Sequence, residues 1–183
     1  MKWTSAISQA AHGAQAVAEV TTAIKKELGN ETPDLLALFV SPDHLTSFHD
    51  IADLVLNEVG DTVLFGCSGG GIVGNSREIE DGPALSLTAA VMPDVEVQAA
   101  HIAPEVINAG PRRGTSNLGT SDVGEMLRET MELQGDEDFI VVADPFSVDR
   151  AGLVSKLDSL FPTATKVGGL ASGHGTAEGQ SLF

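Results

Sequence analysis

Apolar positions along the chain switch between two periods, and the switches mark its elements. Over residues 12–28 they fall at Ala14, Val17, Val20, Ile24 and Leu28, the spacing of a helix with one buried stripe, and Gly29-Asn30 ends it. Asp34 to Val40 is almost wholly apolar, which predicts a strand covered on both faces. Ser41-Pro42 reads as an N-cap followed by proline at the first helical position. Phe48, Ile51, Ala52, Val55, Leu56 and Val59 then give a second helix, closed by Gly60. Thr62 to Phe65 predicts another buried strand, emptying into the glycine-rich turn Gly66-Cys67-Ser68-Gly69-Gly70-Gly71.

The pattern then alternates. Leu85, Leu87, Ala89 and Val91, and again Val95, Val97 and Ala99, flank Pro93-Asp94, which predicts an antiparallel hairpin. Residues 104–121 show little periodicity and read as a long ligand-covering or disordered loop. A capping box at Asp122–Glu125 opens a third helix through Val123, Met126, Leu127, Thr130 and Met131. Phe139 to Ala143 predicts a strand, and Leu153, Val154, Leu157, Leu160 and Phe161 a fourth helix stopped by Pro162. Thr165 to Leu170 is a strand running into Gly168-Gly169 and on to Gly173. Strands alternating with helices predict an α/β fold. The expected architecture is one domain over 1–183: a mixed, mostly buried sheet with an antiparallel hairpin and about four packed helices. No internal repeat and no linker is visible in the sequence.

Composition narrows the partners. Twenty-six acidic residues against ten Lys and Arg leave a net charge of −16 in 183 residues. That balance disfavours phosphate backbones and anionic lipid surfaces, so no nucleic acid and no membrane is expected as partner. Cys67 is the one cysteine, which excludes an internal disulfide and a multi-cysteine zinc site. No apolar run reaches the roughly 20 residues of a membrane helix, and the N-terminus lacks the apolar core of a signal peptide, so a cytoplasmic address is expected. His44 and His49 are poorly spaced to ligate a metal from one helical face, and no cofactor is implied.

The glycine segment admits three chemical readings. Gly66-Cys67-Ser68-Gly69-Gly70 matches the G-x-S-x-G nucleophile elbow, and Gly69 to Gly74 matches G-x-G-x-x-G. Both need a helix to start there, and Gly71-Ile72-Val73-Gly74-Asn75-Ser76 is a poor helix former. Cys67 as a catalytic thiol needs a base or helix N-terminus that the sequence does not place beside it, and a small residue packed in a turn is the simpler reading. A hydrolase or thiol enzyme using Ser68 or Cys67 is therefore the alternative function, and a ligand-free interaction domain a third. The geometric residue is a cluster of exposed backbone N–H groups at a strand end, able to hold a carboxylate.

Phe65-Gly66-Cys67-Ser68-Gly69-Gly70-Gly71-Ile72, Ala143-Asp144-Pro145-Phe146-Ser147 and Val167-Gly168-Gly169-Leu170-Ala171-Ser172-Gly173 occur in that order. Together they resemble the N-terminal half of the FIST (F-box and intracellular signal transduction) sensory domain, and Gly179–Phe183 resembles the strand that follows in that family. The resemblance implies a non-catalytic sensory module of intracellular signal transduction that binds a small polar metabolite such as an amino acid and acts on a signalling partner. It also implies that the family's second half lies outside this chain.

The family supplies no catalytic set, so candidate ligand contacts rest on physics. Ligands of α/β sheets gather at the carboxyl ends of strands. The candidates are Cys67 and the amides of Ser68, Gly69, Gly70 and Gly71 for a carboxylate, and Asp144 for an ammonium group. Ser147 and Ser172 would add hydroxyls, Phe146 an apolar wall, and Gly168 and Gly169 a close approach. Each has a plainer reading: Ser147 as a helix cap, Asp144 as a turn former, Gly168 and Gly169 as packing glycines, and Arg112 and Arg113 as solvated charges.

Overall fold

The computed structural model describes residues 1–108, 127, 131, 133, 137–173 and 179–183. It forms two compact units, Met1–Val97 with Ala171–Phe183, and Gln98–Leu170.

The first unit runs β1 (Lys2–Ser8), α1 (Gly13–Leu28), β2 (Leu35–Val40), a 3₁₀ turn (Pro42–Ser47), α2 (Phe48–Val59), β3 (Val63–Ser68), β4 (Ile72–Gly74), β5 (Arg77–Ile79) and β6 (Leu85–Val91). Its main sheet has the order β1-β6-β2-β3. β6 is antiparallel to both neighbours, while β2 and β3 are parallel, so the sheet is mixed and the fold α/β as expected. Strand alternation assigns the faces. Leu36, Leu38 and Val40 on β2 and Leu85, Leu87 and Ala89 on β6 meet Val17, Val20, Ile24, Ile51 and Val55 of the two helices. On α1 the stripe includes Ala16 in place of the expected Ala14, which is exposed. The opposite face carries two smaller clusters. Ile72, Ile79 and Ala84 pack with Ile7 and Phe39, and Met92 packs with Leu35, Ala90 and Phe65.

Three expectations are corrected here. The second arm of the hairpin does not form, because β6 spends both edges on β1 and β2. Past Val91 the chain leaves the sheet: the Met92 N–H donates to the Asp34 carboxylate at 2.6 Å and Val95 N–H turns back to the Met92 carbonyl. Ser41 holds the N-cap position with Pro42 after it, but of a 3₁₀ turn and without a side-chain capping bond. Its hydroxyl accepts the Ala84 N–H at 2.9 Å, its own N–H donates to the Ala84 carbonyl, and the chain enters α2 through the 3₁₀ turn. The Gly66–Gly71 turn is shorter than expected, since β3 continues through Gly66 and Cys67 to Ser68.

His44, in the 3₁₀ turn, is 1% exposed, and neither ring nitrogen has a hydrogen-bond partner among the described residues. Burial pulls its pKa below the ordinary 6.5, against a weaker upward pull from the Asp43 carboxylate. Above pH 6.5 the ring is neutral folded or unfolded. Below it the unfolded chain takes up a proton that the folded chain refuses, so stability falls as pH drops, by at most about 1.4 kcal/mol per pH unit. Denaturation midpoints between pH 7.5 and 5 should therefore decline for the natural chain and stay flatter for His44→Leu; parallel slopes would refute this assignment.

The second unit contains α3 (Pro104–Asn108), β7 (Phe139–Ala143), α4 (Arg150–Leu160) and β8 (Lys166–Leu170), with β7 and β8 parallel. Ile107, Leu127, Ala143, Leu153 and Leu157 form its core. Residues 104–108 of the expected loop are thus helical, and residues 109–121, with Arg112 and Arg113, lie outside the described residues. So do Val123, Met126 and Thr130 of the third helix. Leu127 is helical, and its carbonyl accepts the Met131 N–H at 2.9 Å.

The structure also shows a repeat that the sequence hides. β2–α2–β3 and β7–α4–β8 are both parallel β-α-β pieces in which Leu38 faces Gly66 and Val141 faces Gly168. A Cβ built on Gly66 would lie 1.8 Å from the Leu38 carbonyl oxygen, and one on Gly168 1.8 Å from that of Val141. Pro42 follows Leu38 at the same offset as Pro145 follows Val141.

Candidate functional site

The glycine motif lies where β3 ends beside the parallel strand β2, at the edge of the sheet. Gly66 is required there by proximity, for the reason just given. Cys67 is a strand residue paired with Phe39, not a turn residue as expected, and is 6% exposed. Burial pushes its thiol up to about 11, so at neutral pH it holds its proton. A reactive thiol needs the opposite shift.

Ser68 is fully buried and fully employed. Its N–H donates to the Ser181 carbonyl at 3.0 Å, and its carbonyl accepts the Ser172 N–H at 2.9 Å. Its hydroxyl accepts the Ser181 N–H at 3.0 Å and donates to the Gln180 amide oxygen at 3.3 Å. Gly69 N–H donates to the Val40 carbonyl at 3.0 Å, and Gly70 N–H to the Ser172 hydroxyl at 2.9 Å. The expected open cluster of amides at Ser68 to Gly71 is therefore corrected. Gly69 donates to the neighbouring strand β2, and Ser68 donates to the chain that returns at 180–183 to cover this edge. Gly70 and Gly71 remain exposed; Gly71 N–H has no partner among the described residues, and the Gly70–Ser172 bond faces solvent.

No helix starts after Ser68. β4 and β5 form a tight hairpin instead, turned by Asn75 and Ser76 at positive φ. Both readings that needed a helix fail on that ground. His101 is exposed and outside any strand, and His174 lies outside the described residues.

The remaining candidates belong to the second unit. The Asp144 carboxylate accepts the Phe146 N–H at 2.9 Å and its carbonyl the Ser147 N–H at 3.4 Å, so Asp144 shapes a turn. Phe146 is 53% exposed. Ser147 does not cap α4, whose cap position is held by Asp149; the Ser147 carbonyl accepts the Asn108 side-chain amide at 2.7 Å. Gly168 packs against Val141, and a Cβ on Gly169 would meet nothing within 4 Å. The structure thus gathers Ser68, Gly69, Gly70 and Ser172 with Gln180 and Ser181, which the sequence reading did not nominate. Asp144, Phe146 and Ser147 share one turn. Among the described residues no group of three or more His, Cys, Asp or Glu is placed to hold a metal ion.

Comparison with known proteins places these motifs in a wider set. The FIST N domain matches residues 34–183. An uncharacterized protein of Mycobacterium tuberculosis is 28% identical over 167 residues, 91% of this chain and 40% of its own length. An uncharacterized protein of Mycobacterium bovis is 27% identical over 160 residues, 87% of this chain and 37% of its own. The chain therefore spans about 40% of the length of the curated relatives it matches. No solved structure matches it.

Proposed function

The chain belongs to the FIST family of sensory signal-transduction domains, and from that premise we propose that it senses a small carboxylate-bearing metabolite at the strand-end segment Gly70–Gly71 without transforming it. The observation that supports this reading is the solvent-facing bond from Gly70 N–H to the Ser172 hydroxyl. A ligand carboxylate oxygen takes the place of that hydroxyl on Gly70 N–H, reaches the unpaired Gly71 N–H, and leaves Ser172 free to donate to the second oxygen. Ser172 is also tied through its own N–H to the Ser68 carbonyl, so moving its side chain acts on the stretch that covers β3. Binding then shifts the population of arrangements offered to a signalling partner.

An amino acid suits the site better than a polycarboxylate. The chain carries −16, and a zwitterion brings no net charge into that field. In this reading the two units work as one sensory domain in the cytoplasm; no helix among the described residues is long and apolar enough to cross a membrane. The buried, twice-bonded Ser68 hydroxyl and the protonated Cys67 support a non-catalytic role.

A thermal-shift screen over amino acids and small organic acids tests the reading, because a ligand held only by the folded state raises its midpoint. At least one zwitterion is expected to stabilise the chain, and Gly70→Pro, which deletes the N–H donor, is expected to abolish the shift. A screen without a stabiliser, or a shift that survives Gly70→Pro, rejects the site.

A further inference from the structure

Among the described residues β3 is an edge strand whose outer side is occupied only towards its end, by the bridge of Cys67 to Leu182. Its residues alternate in the direction of their backbone groups. Ser68 and Gly66 point away from β2: Ser68 N–H reaches the Ser181 carbonyl, and the Gly66 carbonyl accepts the Phe183 N–H, both at 3.0 Å. Cys67 faces Leu182 across an antiparallel bridge. The same alternation turns Leu64 outward. The Leu64 N–H and carbonyl and the Gly66 N–H have no partner on that side among the described residues.

The side chains along this open stretch are apolar and half-buried. Leu64 and Phe183 pack against the helix-side core, and Phe183 sets its ring edge-on to Phe48 with centroids 5.9 Å apart. Val63 and Phe65 pack on the other face with Leu35, Ala90 and Met92. An added strand here meets apolar neighbours on both sides, which a solvent-facing edge of a natural sheet avoids.

We propose that the β3 edge from Gly66 back to Val63 receives one further extended segment, antiparallel to β3 and in the register begun by Leu182 and Phe183. Its occupant is a stretch joined after Phe183, from the part of the longer FIST proteins that this chain does not span. Two observations choose that occupant. The ladder runs so that only polypeptide leaving Phe183 can oppose Phe65, Leu64 and Val63 without a break. The open stretch is also only the run from Val63 to Gly66, too short for the roughly 20–30 residues a side that a free protein partner typically uses, whereas a covalently joined segment arrives at high effective concentration. The mycobacterial relatives, of which this chain spans about 40%, have the length to supply it. Strand addition of this kind draws affinity from main-chain bonds and specificity from alternate side chains.

Amide hydrogen exchange of the 183-residue chain, compared with the same chain carrying a short Val-Thr repeat or a Gly-Ser repeat after Phe183, tests this. The Val-Thr extension is expected to slow exchange at Leu64 and Gly66 by about tenfold or more, and the Gly-Ser extension to leave both fast. Equal exchange of the two amides in all three chains overturns the proposal. So does protection already present without an extension; if it also weakens on dilution, a second copy is the occupant.

Discussion

Gly66→Ala will cost the first unit at least about 3 kcal/mol, seen as a large drop in its denaturation midpoint. A methyl group has no rotamer by which to escape, and its carbon would lie 1.8 Å from the Leu38 carbonyl oxygen and 2.7 Å from the carbonyl carbon. β2 cannot yield, since Leu38 is fully buried and β2 is held between β6 and β3. The pair must therefore part at its centre. Against a typical total of about 5–15 kcal/mol, that loss leaves a substantial unfolded fraction. Gly169→Ala is the matched control, because a Cβ there meets nothing within 4 Å, and it is expected to be nearly neutral. A Gly66→Ala chain as stable as the control would mean that the β2–β3 register is wrong.

Ser68→Ala is expected to destabilise by about 1–3 kcal/mol, the usual cost of leaving a buried donor unpaired. The orphan is the Ser181 N–H, which the Ser68 hydroxyl accepts at 3.0 Å, and the Gln180 amide oxygen loses its donor as well. Losing that anchor also loosens Phe183 from Phe48. The variant should therefore melt earlier and lose its last residues to carboxypeptidase faster. Unchanged melting together with the loss of an esterase activity would instead make Ser68 a nucleophile.

Much of this scaffold can be read in the chain before it folds. Leu35–Val40 and Phe139–Ala143 each take a parallel partner, and their unbroken apolar runs announce them, although in the second only Ala143 is buried. β1 escapes because it lies at an edge, where Lys2, Thr4 and Ser5 interrupt the pattern. β4 and β5 escape because each has three residues and depends on a turn at Asn75 and Ser76. The candidate site was legible in its glycines and not in its hydrogen bonds. The partners of Ser68 and Gly70 are Gln180, Ser181 and Ser172, more than a hundred positions along the chain. Local periodicity carries no information about such a return, so the Ser68 donor that looked open in sequence is closed in space, while Gly70 and Gly71 stay at the surface.

The twin approach of Gly66 to Leu38 and of Gly168 to Val141 also bears on how these strand pairs come apart. With main chains seated at contact distance there is no slack for one strand to slide along the other, and a slip by one residue would drive a β-carbon into a carbonyl. Each pair is consequently all-or-none, docking in a single alignment or not at all, and should fail abruptly without loosening by degrees.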